Sequence, residues 1–215
     1  MTELKITEIF YSLQGETRTI GLPTLFIRLT GCPLRCSYCD SDYAFTGGKI
    51  MTINEIVSEA SNYQAPYITV TGGEPLAQTG VHNLLSKLCE LPEKPEVSIE
   101  TAGALDISGV DPRVVKVVDW KTPDSGESHR NRPDIFRNLQ KGDTLKFVLC
   151  SRLDYEWAKF QLGLYKIKSG VEVVFSPSFE SLNATTIAEW VLKDRLNVRV
   201  QIQLHKILWN DKPGH

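Results

Sequence analysis

The sequence predicts an α/β fold, an incomplete parallel barrel with helices on the outside. Strand-like apolar runs alternate with helical patterns along most of the 215 residues, the arrangement of a parallel sheet covered by helices. About six or seven strands and three or four good helices can be counted, too few for eightfold closure. A cysteine cluster and a glycine pair each follow directly on a strand, and in such folds functional loops lie at the C-terminal strand ends.

Residues 4–11 alternate weakly and read as an opening strand, after which Ser12-Leu13-Gln14-Gly15-Glu16 turns the chain. Residues 24–30, rich in β-branched and aromatic side chains, form a firm strand that leads into the cysteines. Thr52-Ile53-Asn54-Glu55 is a capping box. Ile53, Ile56, Val57 and Ala60 then repeat at the spacing of a core-facing helix. Residues 67–71 are a strand ending in Gly72-Gly73-Glu74-Pro75, and Val81, Leu84, Leu85 and Leu88 mark a second helix stopped before Pro92. Strands at 96–100 and 114–118 follow, then a polar loop at 121–132 of the kind that is functional or mobile. A strand at 144–150, a helix at 153–162, a strand at 171–175, a helix at 182–194 and a closing strand at 198–204 complete the series.

No repeat or linker divides the chain, so residues 1–215 read as one domain. With 41% hydrophobic and 23% charged residues the composition is that of a soluble globular protein. A net charge of -2 argues against a nucleic-acid partner. The chain shows neither a signal peptide nor an apolar run of membrane-spanning length, which predicts a cytoplasmic protein with no membrane partner.

Of five cysteines, Cys32, Cys36 and Cys39 share one loop, whereas Cys89 and Cys150 stand alone in apolar surroundings and read as small buried hydrophobes. Three thiolates leave part of a metal centre for another ligand. Structural zinc needs a fourth donor, which His82, His129 or His205 could supply. A cubane iron–sulfur cluster would instead keep one iron open. The spacing leaves both readings open. The pair Gly72-Gly73 is either a tight turn before Pro75 or a strand edge where free backbone groups meet an amino-acid-like ligand.

Cys32-x3-Cys36-Ser37-Tyr38-Cys39 resembles the signature of the radical S-adenosylmethionine superfamily, and Thr71-Gly72-Gly73-Glu74-Pro75 resembles its second motif. Within it, Ser12-Leu13-Gln14-Gly15-Glu16, Phe26-Ile27-Arg28-Leu29-Thr30-Gly31-Cys32 and Gln203-Leu204-His205-Lys206 resemble the 7-carboxy-7-deazaguanine synthase family of queuosine and deazapurine biosynthesis, a likeness spanning nearly the whole chain. The resemblance implies a partial, TIM-like barrel and a carbon–nitrogen lyase. One electron would cleave S-adenosylmethionine to a 5′-deoxyadenosyl radical. That radical would take the C6 hydrogen of 6-carboxy-5,6,7,8-tetrahydropterin, and ring contraction with loss of ammonia would give 7-carboxy-7-deazaguanine.

Residue by residue, the resemblance implies a 4Fe–4S cluster on Cys32, Cys36 and Cys39, and Mg²⁺ on Ser41. It implies S-adenosylmethionine contacts from Tyr38, Asp40, Gly73, Glu74, Lys121 and Ser176, and substrate contacts from Leu13, Gln14, Gly15, Glu16, Arg28 and Thr71. Glu16, Arg28 and His205 would be the catalytic groups. An electron donor such as flavodoxin or ferredoxin and a homodimer are further implications. The chain departs from the family pattern in three places. Asp119-Trp120-Lys121 stands where some members have Ser-Pro-Lys, Ser176-Pro177 replaces a Gln-Pro pair, and the terminus runs on through residues 209–215.

Two rivals stand beside this reading. A glycyl-radical enzyme activase shares the first two motifs but gives Glu16 with Arg28 no role, and a zinc-binding interaction module needs only the cysteines. Each residue also has a plainer reading: Arg28 as an inter-strand ion pair, Glu16 as a solvated carboxylate, Asp40 and Ser41 as turn and cap, His205 as a packed core residue.

Overall fold

The computed structural model describes residues 2–179, 181–210, 212 and 214. The chain runs β1 (Glu3–Leu13), β2 (Pro23–Leu29), β3 (Lys49–Thr52), α1 (Ile53–Tyr63), β4 (Tyr67–Gly72), α2 (Val81–Leu88), β5 (Glu96–Thr101) and β6 (Val115–Asp119). It continues through α3 (Ile135–Asn138), β7 (Thr144–Leu149), α4 (Arg152–Leu164), β8 (Glu172–Pro177), α5 (Ala184–Asp194), β9 (Arg199–Val200) and α6 (Leu204–Trp209).

Among the described residues the strands form one nine-stranded sheet in the order β3-β1-β2-β4-β5-β6-β7-β8-β9. From β2 onward every neighbouring pair is parallel, whereas β1 runs antiparallel to both β2 and β3. The sheet is open, since β9 is an edge and does not pair back onto β1 or β3. Its seam is bridged instead by loops: Thr17 N donates to Gln201 Oε1 at 2.7 Å, Gln201 Nε2 to the Thr17 carbonyl at 2.7 Å, and Leu204 N to the Gly15 carbonyl at 2.9 Å.

Helices cover the outside because each carries one apolar stripe. Ile53, Ile56 and Ala60 of α1, the four apolar residues of α2, and Ile187 and Val191 of α5 are all buried against the sheet. The Thr52–Glu55 capping box is formed at α1, and Gln64 closes that helix in the left-handed conformation at φ 48°. None of the described helices is long and apolar enough to cross a membrane.

Three readings of the sequence change. The short strand β3 escaped notice; it pairs with β1 at the sheet edge, where Lys49 and Ile50 face solvent and blur any alternation. The run at 198–204 is strand only at Arg199–Val200, because the backbone then turns to meet Gly15 and starts α6. The 121–132 stretch is two short 3-10 turns, Pro123–Ser125 and Ser128–Arg130. The first is anchored by fully buried Asp154, which accepts from Thr122 Oγ1 at 3.0 Å and from Asp124 N at 3.0 Å.

Candidate active site

A cavity of about 700 Å³ opens at the C-terminal ends of the parallel strands. Arg28, Thr71, Thr101, Asp119 and Val148 line it from successive strands. Its two ends differ in chemistry.

One end is built on the cysteine loop. Cys32, Cys36 and Cys39 are free thiols and all line the cavity. The loop rests on the 3-10 turns: Ser37 N donates to the Ser125 carbonyl at 3.1 Å, Ser37 Oγ to the Asp124 carbonyl at 2.7 Å, and Arg35 N to Glu127 Oε1 at 2.7 Å. Against its other side lies the glycine turn. Glu74 N donates to the Gly31 carbonyl at 2.9 Å and Gly73 N to the Leu29 carbonyl at 3.2 Å. A Cβ at Gly72, where φ is 152°, would come within 2.3 Å of the Leu29 oxygen. Those two amides are therefore not the free ligand-binding groups that one of the two readings of Gly72-Gly73 offered; Gly72 is required by its approach to Leu29 at the end of β2, and Gly73 by its approach to the cysteine loop.

Glu74 is wholly buried and accepts from Leu76 N at 3.0 Å, Thr101 Oγ1 at 2.8 Å and Ala102 N at 2.7 Å. Burial pushes its carboxyl above the usual range, with these bonds pulling the other way. Lys121 donates to Asp119 Oδ2 at 2.8 Å and sits 5.5 Å from the Tyr38 ring centre. Burial disfavours its charge, but Asp119, Tyr38 and Cys36 outweigh that and hold it well above the ordinary lysine value. The Tyr38 hydroxyl and Asp119 Oδ1 are buried without a hydrogen-bond partner among the described residues, so this end offers one donor and one acceptor to a ligand.

The other end is a cage of charges. Lys146 is ion-paired to Glu16 Oε2, and Glu16 Oε1 accepts from Gln203 Nε2 at 2.7 Å. Burial disfavours the Lys146 charge, yet Glu16 and Asp119 hold its pKa above the ordinary lysine value. Glu100 accepts from Thr71 Oγ1 at 3.1 Å and Gln14 Nε2 at 3.3 Å. Burial, and then the nearby Glu16, raise its pKa. Arg28 donates through Nε to Glu8 at 2.7 Å, and its two terminal nitrogens make no hydrogen bond among the described residues. Phe10 and Phe26, stacked at 4.9 Å, form an apolar wall beside it. His205 fits only because residue 15 is glycine: a Cβ there would lie 2.0 Å from His205 Nδ1.

The family model for the Radical SAM superfamily matches residues 26–118, from β2 through β6. A 7-carboxy-7-deazaguanine synthase of Chlorobaculum tepidum is 44% identical over 210 residues, covering 96% of this chain and 94% of its own. The chain belongs to the 7-carboxy-7-deazaguanine synthase family. Members from Koribacter versatilis and Methanospirillum hungatei are 39% and 37% identical, over 96% and 95% of this chain and 97% and 85% of their own. The crystal structure of QueE from Escherichia coli, 20% identical, has the same fold, with a TM-score of 0.79 over 94% of this chain and 95% of that one.

The 7-carboxy-7-deazaguanine synthase family brings with it a 4Fe–4S cluster and S-adenosylmethionine, and the donor set suits both. The three thiols border one cavity; burial pushes the Cys36 thiol up to about 11, with Lys121 pulling the other way, and bound iron would favour its thiolate further. Among the described residues no three Cys, His, Asp or Glu groups converge as ligands of a single ion. Thiolates taking one iron each at the corners of a cubane need not converge.

Of the residues expected at the site, Leu13, Gln14, Gly15, Glu16, Arg28, Tyr38, Asp40, Ser41, Thr71, Gly73, Lys121 and His205 line the cavity with the three cysteines. Glu74 and Ser176 do not. Glu74 braces the glycine turn from behind, and Ser176 is buried in β8 while Ser178 and Phe179 reach the cavity in its place. Of the candidate histidines only His205 lines it. Cys150, read as a core residue, also borders the cavity. At the terminus Lys212 and Gly214 border it, whereas Asp211, Pro213 and His215 lie outside the described residues. Sequence reasoning missed Lys146, Glu100, Asp119 and the Phe10–Phe26 wall. Lys146 and Glu100 alternate with apolar neighbours in their strands, as solvent-facing residues do, so only the barrel's inward face reveals them.

Proposed function

We propose that the chain converts 6-carboxy-5,6,7,8-tetrahydropterin to 7-carboxy-7-deazaguanine with loss of ammonia, in queuosine or deazapurine biosynthesis. The observation that carries this is one continuous cavity with the cysteine loop at one end and Arg28, Glu16 and Glu100 at the other. The bound cluster and S-adenosylmethionine supply a 5′-deoxyadenosyl radical.

The chain's own residues hold the pterin for that radical. The terminal nitrogens of Arg28 take the substrate carboxylate as a bidentate pair, with Nε held by Glu8. Glu16 and Glu100 accept from the amino and ring N–H edge, oriented by Lys146, Gln203, Thr71 and Gln14. Phe10 and Phe26 give a planar ring an apolar surface, and His205 reaches the same space beside Gly15. At the cofactor end Gly73, Tyr38, Asp40 and Lys121 border the cavity, with Asp119 and Ser178 as additional contacts. Ser41, with Asp40 beside it, is the Mg²⁺ position, an ion that takes few protein ligands and keeps several waters.

The reaction is carried by one domain, residues 1–215, in the cytoplasm, where the cysteines stay reduced. Its electron comes from a flavodoxin- or ferredoxin-type donor. The protein acts as a homodimer. On α4, exposed Leu153, Phe160 and Leu164, with half-buried Trp157, form one outward stripe. The stripe is symmetric about its midpoint, so an antiparallel second copy sets Leu153 against Leu164 and Trp157 against Phe160.

Anaerobic incubation of the reconstituted protein with the carboxytetrahydropterin, S-adenosylmethionine, Mg²⁺ and a reductant is expected to give the deazaguanine, with the cofactor regenerated. A fully loaded cluster without product sinks the proposal. Cofactor consumed with a glycyl radical appearing on a partner enzyme would favour the activase.

A further inference from the structure

Gln203 stands at the entrance to α6, where its side-chain nitrogen meets two carboxylates, one from the turn after β1 and one from the cysteine loop. Nε2 lies 2.7 Å from Glu16 Oε1 at the charged end and 3.2 Å from Asp40 Oδ2 on the cysteine loop. A primary amide carries two hydrogens, one for each acceptor. Beyond each carboxylate lies a lysine: Lys146 pairs with Glu16, and Lys206 Nζ is 3.2 Å from Asp40 Oδ2. The result is an unbroken row, Lys146–Glu16–Gln203–Asp40–Lys206, that crosses the open seam of the sheet.

The backbone that carries the amide is anchored on both sides of the seam. Leu204 N is bonded to the Gly15 carbonyl at 2.9 Å, and His205 fills the hollow that Gly15 leaves. Glu16 and Asp40 are like charges; Lys146 and Lys206 offset them, and the Gln203 hydrogens bridge the gap between the two. A ligand that fixes Glu16 therefore fixes Gln203, and Gln203 fixes Asp40 next to Cys39.

We propose that Gln203 is a positioning residue that couples pterin binding at Glu16 to S-adenosylmethionine binding beside Asp40. The inference rests on the function proposed above. Coupling of this kind is reciprocal, so each ligand tightens the other by the same factor, about tenfold within the usual range for linked sites.

The test uses cluster-loaded protein without reductant, so that nothing turns over. The Kd of S-adenosylmethionine is measured by equilibrium dialysis with and without saturating carboxytetrahydropterin. The wild type is expected to show about tenfold tightening. Gln203→Met lacks the hydrogens and Gln203→Asn lacks the reach. Both are expected to bring the factor below about twofold, each variant's Kd being compared with and without the pterin so that any change in affinity for cofactor alone cancels. Gln201→Met breaks the neighbouring seam bridge to Thr17 instead, and is expected to lower thermal stability with the coupling intact. Retained coupling in both Gln203 variants overturns the inference, as does equal loss in Gln201→Met. A wild type that converts the pterin but shows no coupling overturns it alone; one that neither binds nor converts the pterin overturns the proposed function, and the coupling with it.

Discussion

Gly73 packs so closely on the cysteine loop that a methyl group there would lie 2.8 Å from the Cys32 Cβ and 2.3 Å from the Gly31 carbonyl oxygen. The turn after β4 and the loop after β2 are thus one unit, clamped by the Glu74 N to Gly31 O bond at 2.9 Å. Replacing Gly73 with alanine must push the cysteine loop away, an overpacking cost of about 1–3 kcal/mol. Gly73→Ala is expected to fold, with a lower Tm and several-fold less iron after reconstitution, read from absorbance near ~400 nm. Iron content equal to wild type would show that the loop tolerates the shift.

Lys146 and Glu16 are each 13% exposed and pair across the barrel interior. Removing the lysine leaves a nearly buried carboxylate without its counter-charge, a loss on the order of 3 kcal/mol. Lys146→Met is expected to lower Tm and weaken pterin binding by at least about tenfold, because Glu16 is no longer held in place. Lys146→Arg, which keeps the charge, should recover part of both. Calorimetric titration of the pterin reads the second effect directly.

Glu100 carries a raised pKa from burial and from Glu16. A carboxyl raised in the folded state holds a proton that the unfolded chain has lost. Stability therefore falls as pH rises from about 4.3, the unfolded value, through the higher folded one. Glu100→Gln is expected to flatten this part of the Tm-versus-pH curve, and to be at least as stable as wild type at pH 7. Some slope should persist, because Glu74 is shifted the same way. Pterin binding should fall about tenfold or more with the charged acceptor gone. A steeper curve in the variant would contradict the assignment.

The α1 capping box is not part of the cavity lining and separates stability from function. Thr52 Oγ1 accepts from Glu55 N at 3.2 Å while the Glu55 carboxylate accepts from Thr52 N at 2.8 Å. Thr52→Ala is expected to lose about 1 kcal/mol, a Tm drop of about 2–4 °C for a domain of this size. Iron content and turnover should be unchanged, which thermal melts and a product assay together check.

Phe160 is 65% exposed at the centre of the α4 stripe. Phe160→Lys places two like charges near the two-fold axis of the proposed homodimer. The variant is expected to sediment as a monomer where wild type sediments as a dimer, with folding intact because the residue faces outward. A dimer that survives the change places the interface elsewhere.

The chain alone carries whatever depends on neighbours in sequence. Three cysteines within eight positions (32 to 39), two adjacent glycines before Glu74-Pro75 and a Thr-x-x-Glu box are local patterns, and each marks a loop or helix start wherever it occurs. The alternation of apolar runs likewise announced a parallel sheet with outer helices, and the family likeness added the cofactors. What folding decided depends on residues far apart in sequence. Lys146 lies 130 positions from Glu16, and Gln203 lies 187 positions from it, so no spacing rule could join them. Curvature of the open sheet brings β7, the turn after β1 and the start of α6 to one point. There Gly15 is small because His205 needs the space, and Glu16 is gripped by Lys146 and Gln203. The cysteine loop itself was visible in the sequence; that the Gly73 turn presses directly on it came only from the packing of β4 beside β2.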